Sequence, residues 1–280
     1  MSANIQTDPS SHETVAPEAT PARKQGRVER FWRLYGLAAL FTLFMLVLWE
    51  VIIRGFNVPK YLFPAPSQVA IAMRDDWSSI LGPAMWVTLR EVLIGFVIAA
   101  VTGVGLAVLL HLFGPLRRAM YPLLIGSQTV PIVVLAPILV ILLGYGIAPK
   151  LVIVALICFF PIVVNGLDGL RSVDEDFIHM MRTLDANRWA IFKRIEFPAA
   201  LPAIFSGMRI AATFASIGAI FGEWSGASSG LGFRINEAQR FFESDTVIGY
   251  LLLLGLLGLV TDQGMKALSR LFFGWSKARA

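Results

Sequence analysis

The sequence predicts an all-α membrane protein with about six transmembrane helices, and three observations carry that prediction. Hydrophobic residues make up 56% of the 280-residue chain and charged residues 15%, with a mean hydropathy of +0.68, which leaves too little polar surface for a soluble globule of this size. Six apolar runs, at about 34–53, 89–112, 123–143, 151–170, 201–221 and 247–265, approach the roughly 20 residues a helix needs to cross a hydrocarbon core. The basic residues beside those runs are unevenly shared. With the N-terminus in the cytoplasm, sixteen fall inside, among them Arg23, Lys24, Arg117, Arg118, Arg182, Lys193, Arg194, Lys266 and Arg270; Arg54, Lys60, Arg74, Lys150, Arg234 and Arg240 fall outside. That bias places both termini in the cytoplasm. The pI near 9.6 therefore reports topology and gives no reason to expect a nucleic-acid partner.

Residues 1–30 are rich in Ser, Thr, Pro, Ala and charge, the composition of a disordered cytoplasmic tail. The apolar run that follows is too long for a signal-peptide core and lacks a small-residue cleavage site, so the transmembrane domain is expected to fill residues 31–280. In the second run Gly95, Ala99, Gly103 and Ala107 recur every fourth residue. Such a stripe lets helix backbones approach closely in lipid, within the chain or against a second copy. The third run carries Pro131 and Pro137, which remove backbone donors and bend a helix. Its freed carbonyls need partners inside the protein or along a water-filled path. Ser127, Gln128, Thr129 and Pro131 suit such a path, or alternatively bond back to neighbouring helices. Pro161 bends the fourth run in the same way; Asn165 is its central polar residue, and Ser216 is a further pathway candidate in the fifth. For Asn165 and Ser216 ordinary helix packing is the competing reading. At the outer end of the fifth run, Glu223, Trp224 and the glycine-rich turn to Gly232 are candidates for an outer gate or a partner contact.

Several functions are excluded by what the chain lacks. The only cysteine, Cys158, lies within an apolar run and reads as a small buried side chain. His12, His111 and His179 are scattered, and neither a phosphate-binding G-x-x-x-x-G-K-[ST] loop nor H-E-x-x-H is present. No metal, cofactor or catalytic residue is expected, and any energy source must reside on another chain. Apart from Glu50 and Arg90 near span ends, and Asp168, Arg209 and Asp262 toward the cytoplasmic side, no ionisable group is expected at mid-membrane, which argues against proton or sodium coupling.

Between the fourth and fifth runs lies a charged island, "SVDEDFIHMMRTLDANRWAIFKRIEFPAALP", at 172–202. Ser172 and Glu175 have capping-box spacing, predicting a helix from about Val173. Phe177, Met180, Met181 and Leu184 give it one apolar face. The chain should turn at Asp185, Ala186 and Asn187, with Asn187 capping a second helix through Ile195, Pro198 ending it and Pro202 opening the next span. Such an element is either a helix pair lying on anionic headgroups or a docking knob for a cytoplasmic partner.

The island resembles the cytoplasmic loop of ABC importer permeases, whose motif is E-A-A, three residues, G, nine residues, I-x-L-P. Ile195 and Pro198 match its end, His179, Met180 and Met181 stand at the E-A-A positions, and Asp185 stands at the glycine. The likeness extends from about Leu62 to Trp275. "FPAPSQV", "SQTVPIVVLAPILVILLGYG", "FFPIVVNGLDGLRSVD" and "GEWSGASSGLG" resemble the nitrate, sulfonate and taurine branch, and most of all the permeases for hydroxymethylpyrimidine precursors of thiamine. The resemblance implies a type I ABC importer permease fold in the bacterial inner membrane. It implies a homodimer with a separate cytoplasmic ABC ATPase subunit and an extracytoplasmic substrate-binding protein, embedded in membrane lipid. It also implies that His179, Arg182, Asp185, Ala186, Arg188, Ile195 and Pro198 couple the chain to the ATPase, in a coupling loop of about 172–200. Sulfonate, taurine, nitrate or riboflavin are the alternative substrates, and a non-transporting membrane anchor is the alternative of another class.

Overall fold

A computed structural model describes residues 27–272 of the chain. It divides into two units, one ending at Leu48 and the other running from Trp49 onward. The first contains the N-terminal part of α1 (Arg27–Gly55); the expected tail lies outside the described residues except for its last four, which are already helical. The second unit holds α2 (Pro66–Asp75), α3 (Gly82–Leu112), α4 (Gly114–Ser127), α5 (Ile132–Leu143), α6 (Ile147–Arg171), α7 (Glu175–Thr183), α8 (Arg188–Ile191), α9 (Phe197–Trp224), α10 (Leu231–Arg240) and α11 (Ser244–Phe272). No strand occurs among the described residues.

Small side chains set how the second unit packs. A Cβ on Gly95 would meet Val154, one on Gly103 would meet Ile162, and one on Gly166 would meet Ala107. Each pair is 59 residues apart, the same offset as the Lys150–Glu91 ion pair, so α3 and α6 run parallel in fixed register. The stripe on the second run is thus spent on packing inside the chain. A second ladder lies on α9, where Gly207 backs onto Pro161 and Asn165, Gly218 onto Val154 and Gly222 onto Lys150. Here one number falls as the other rises, so α9 is antiparallel to α6. Cys158 is buried between them and donates to the Ala211 carbonyl at 3.3 Å. The core that results is Val92, Ala99, Val154, Cys158, Ile162, Ala211, Ala215 and Ala219, with Leu257 of α11 closing it.

The third run is not one helix. α4 and α5 meet at 101° across a break of at most four residues, with Pro131 as the residue before α5 and Pro122 and Pro137 inside the two helices. At about 1.5 Å per residue neither half spans a hydrocarbon core of roughly 30 Å. Because α3 and α6 are parallel, the chain must return between them, and the bent pair is the segment that carries it. With that pair taken as one span the described residues hold up to six candidate crossings. Pro161, by contrast, leaves α6 continuous from Ile147 to Arg171.

Three boundaries of the island differ from expectation. Ser172 does not cap α7: its hydroxyl donates back to the Gly169 carbonyl at 2.8 Å and closes α6. Asp174 is the cap instead, accepting from the Asp176 amide at 3.0 Å, because an aspartate one residue before the helix outcompetes a serine three before it. Pro198 does not end the second helix either. A π turn at Phe192–Glu196 joins α8 directly to α9, and Pro198 is the second residue of α9; the wider turn just before it accommodates the donor that proline lacks. Pro202, expected to open the next span, lies inside α9, because the span-length helix runs unbroken from Arg188 to Trp224.

Candidate functional site

The bend of the island follows from its hydrogen bonds. The Ala186 amide donates to the Met181 carbonyl and the Asp185 amide to the Arg182 carbonyl, both at 3.0 Å. This is a Schellman closure, which requires left-handed backbone at the residue after the cap. Asp185 supplies it with φ 56°. The motif's glycine position therefore keeps its geometry, since aspartate tolerates left-handed φ better than most residues. Asn187 caps α8 as expected, accepting from the Ala190 amide at 2.8 Å. Around the bend the apolar face is open: Phe177, Met180, Leu184 and Trp189 are all exposed, Leu184 by 70%. His179, Arg182 and Asp185 are exposed beside them and Ala186 is half-buried.

Arg188 behaves differently from its neighbours at the bend. Its guanidinium turns inward to Glu196 Oε1 at 2.5 Å, and the other oxygen of Glu196 meets His111 Nε2 at 2.9 Å. Ile195 and Pro198 are half-buried at the same base. Phe192 packs there against Leu170, Ala200 and Ile204, with Val104, Val108 and Leu112 of α3 alongside. The island is thus an exposed tip on a packed base.

At the opposite end, α9 finishes in a buried polar cluster. Thr88 of α3 donates to Glu223 Oε1 at 2.6 Å and accepts the Leu231 amide at 2.8 Å. Glu223 Oε2 accepts the Gly232 amide at 2.5 Å. Gly230 has φ 114°, and a Cβ at Gly230 or Gly232 would run into the Glu223 carboxylate, which explains the glycine-rich turn. Beside this, Lys150 of α6 donates to Glu91 Oε1 at 2.7 Å, while Glu91 Oε2 has no hydrogen-bond partner. Thr88, Glu91, Lys150 and Glu223 are each less than a tenth exposed. Beyond the ionisable residues expected near span ends, Glu91, Lys150 and Glu223 also belong to span-length helices. Lys150 and Glu91 offset each other's burial, and the Thr88 hydroxyl and the Gly232 amide offset that of Glu223. Trp224 is exposed by 43% and stacks edge-on against Phe221 at 5.8 Å. A cleft of about 480 Å³ lined by Tyr145, Gly146, Lys150, Gly226, Ala227 and Ser228 opens next to the cluster.

The pathway candidates occupy three separate places. Gln128, Thr129 and Pro131 are exposed at the α4–α5 break, and Thr129 donates back to the Gly126 carbonyl at 2.8 Å. Asn165 donates to the Pro161 carbonyl at 2.8 Å and abuts Gly207 of α9. Ser216 lies two and a half turns farther along α9, hence on its other face, in a cleft of about 460 Å³ with Thr213, Gly258 and Asp262. Asp262 there binds Arg209 at 3.2 Å and Lys266 at 2.8 Å.

Residues 91–273 match the family described as the binding-protein-dependent transport system inner membrane component. The formylaminopyrimidine transport permease protein ThiX of Halalkalibacterium halodurans is 36% identical over 238 residues, covering 85% of this chain and 95% of that protein. The riboflavin transport system permease protein RibX of Chloroflexus aurantiacus is 32% identical over 253 residues, covering 89% and 93%. Among solved structures, an inward-facing form of the MetNI methionine ABC transporter aligns with a TM-score of 0.53 at 19% identity, over 67% of this chain and 95% of that one. That likeness bears out the type I permease fold.

Proposed function

The chain belongs to the family of binding-protein-dependent inner-membrane transport components, as an ABC transporter permease, and we propose that it carries a pyrimidine precursor of thiamine into the cell. On this reading two copies form the membrane channel and a separate cytoplasmic ATPase binds the island tip. An extracytoplasmic binding protein delivers substrate to the end where Glu223 and Trp224 lie. The basic-residue bias supports a cytoplasmic island and cytoplasmic termini.

The observation that carries the mechanism is the continuous helix from Arg188 to Trp224. One end of it follows immediately on the exposed bend; the other ends in the Glu223 cluster. ATP-driven closure of the ATPase displaces the tip. A continuous helix transmits that displacement as a rigid body, and it loads the Thr88–Glu223–Gly232 contacts at the outer end. Opening and closing there alternates with the inner end. The substrate class rests on the 36% identity, over nearly the whole chain, to a permease named for formylaminopyrimidine. Riboflavin is the competing substrate, on the 32% identity to a permease named for it.

Uptake into proteoliposomes holding this chain, its cognate ATPase and its binding protein tests the proposal. ATP-dependent accumulation of a labelled aminopyrimidine, competed by unlabelled aminopyrimidine and not by riboflavin, is expected. Competition by riboflavin alone overturns the substrate. Absence of uptake for any solute the binding protein holds, with the ATPase still bound, favours an anchor.

A further inference from the structure

We infer that Glu196 is a positioning residue: it ties the island base to the inner end of α3, so that α3 moves with the island rather than following α9 at a distance. The inference rests on the docking proposal above. Glu196 is only 2% exposed, although it sits in a π turn beside the exposed Lys193 and Arg194. Both of its oxygens are used, one by Arg188 at 2.5 Å and the other by His111 at 2.9 Å. The three residues come from three elements: His111 from the last turn of α3, Arg188 from the start of α8, and Glu196 from the turn leading into α9.

The geometry assigns the donors. His111 Nε2 lies 2.9 Å from Glu196 Oε2 and 3.1 Å from Arg188 Nη2. Arginine only donates and a carboxylate only accepts. A bare Nε2 would turn its lone pair on the carboxylate, so the proton resides on Nε2 and points at Glu196. Arg188 and His111 are then two donors held by one acceptor. His111 Nδ1 is then left as a buried acceptor without a partner. Packing alone does not need this arrangement. Val104, Val108 and Leu112 of α3 already cover Phe192, Leu170, Ala200 and Ile204 with apolar contacts. Apolar contacts are non-directional and let elements slide, whereas charge-assisted hydrogen bonds fix a register. Glu196 supplies the directional part.

The island thus has two outputs: a covalent one into α9 and a hydrogen-bonded one into α3, which the Lys150–Glu91 ion pair ties in turn to α6. The test uses the complete complex of this chain, ATPase and binding protein, with variants E196A, H111L and H111Q. Glutamine offers an N–H where imidazole Nε2 offers one; leucine offers none. E196A and H111L should keep the ATPase in the purified complex yet lose its stimulation by loaded binding protein by about fivefold or more, a coupling loss of ordinary size. H111Q should stay close to wild type. Spin labels at Thr183 and Phe113, both exposed, in a C158S background should report one distance with and without trapped ATP in wild type, and two distances in E196A. Unchanged stimulation and an unchanged distance in both E196A and H111L, with the ATPase bound, overturn the clamp. An ATPase that fails to bind even wild type instead refutes the docking proposal beneath it.

Discussion

Replacing Gly207 with alanine probes the contact that sets the spacing of α6 and α9. The new Cβ would lie 2.6 Å from the Pro161 carbonyl oxygen, 2.8 Å from Asn165 Cβ and 3.3 Å from Ile162 Cα. A carbon meets a carbonyl oxygen comfortably at about 3.3–3.6 Å, so the helices must part by about 0.7–1 Å. Two of the three obstructing atoms are backbone, and no rotamer change relieves them. Overpacking of this kind costs about 1–3 kcal/mol. Alanine also returns about 1 kcal/mol of helix propensity over glycine, so the proper reference is another helical glycine. Gly105 on α3 is suited to that role: it is exposed and its Cβ would meet nothing within 4 Å. Thermal unfolding in detergent is the assay. Gly105→Ala should match or slightly exceed wild type. Gly207→Ala should fall below Gly105→Ala by about 1–3 kcal/mol, which is several degrees for a chain of this size. Equal melting temperatures for the two variants would refute the close approach of α6 and α9.

Other perturbations follow from the same contacts. Asp185→Gly removes the cost of left-handed backbone at a non-glycine residue, of about 1 kcal/mol, and should raise thermal stability with uptake unchanged; Asp185→Pro, which fixes φ near −65°, should abolish coupling. Lys150→Met leaves Glu91 buried without its partner and should cost about 3–5 kcal/mol in melting experiments, whereas Glu91→Leu combined with Lys150→Met should recover most of that loss. A cysteine at Ser228 should react with an impermeant thiol reagent from outside intact cells, and one at Asn187 only after permeabilisation; the reverse pattern would invert the orientation.

What the sequence made legible is what depends on neighbours in the chain. The small-residue stripe, the Asn187 cap and the turn at Asp185 are signals spread over a few residues, and each has its expected geometry. The polar cluster at the far end is of another kind. Glu91 and Lys150 stand 59 residues apart and Thr88 and Glu223 135 apart, so no local pattern pairs them. Lys150 by itself looked like one more basic residue outside the membrane. Arg188 likewise counted as tip charge, because its partner Glu196 lies beyond the bend and His111 lies on another span. The ladder on α9 was readable in "GMRIAATFASIGAIFGE", where Gly207, Ala211, Ala215, Gly218 and Gly222 recur at three and four. The break between α4 and α5 was only half visible: two prolines foretell a bend but do not fix its angle.

The claim on which the rest depends is that the exposed bend is where an ATPase binds. Leu184 is the residue to test, being 70% exposed at the apex of the apolar face and free of hydrogen-bond duties in its side chain. A photo-reactive amino acid placed there, in membranes that also contain the cognate ATPase, should yield a covalent adduct of permease with ATPase upon illumination. Adducts with lipid alone, under conditions in which the ATPase is present and folded, would make the island a membrane-surface element and contradict the account.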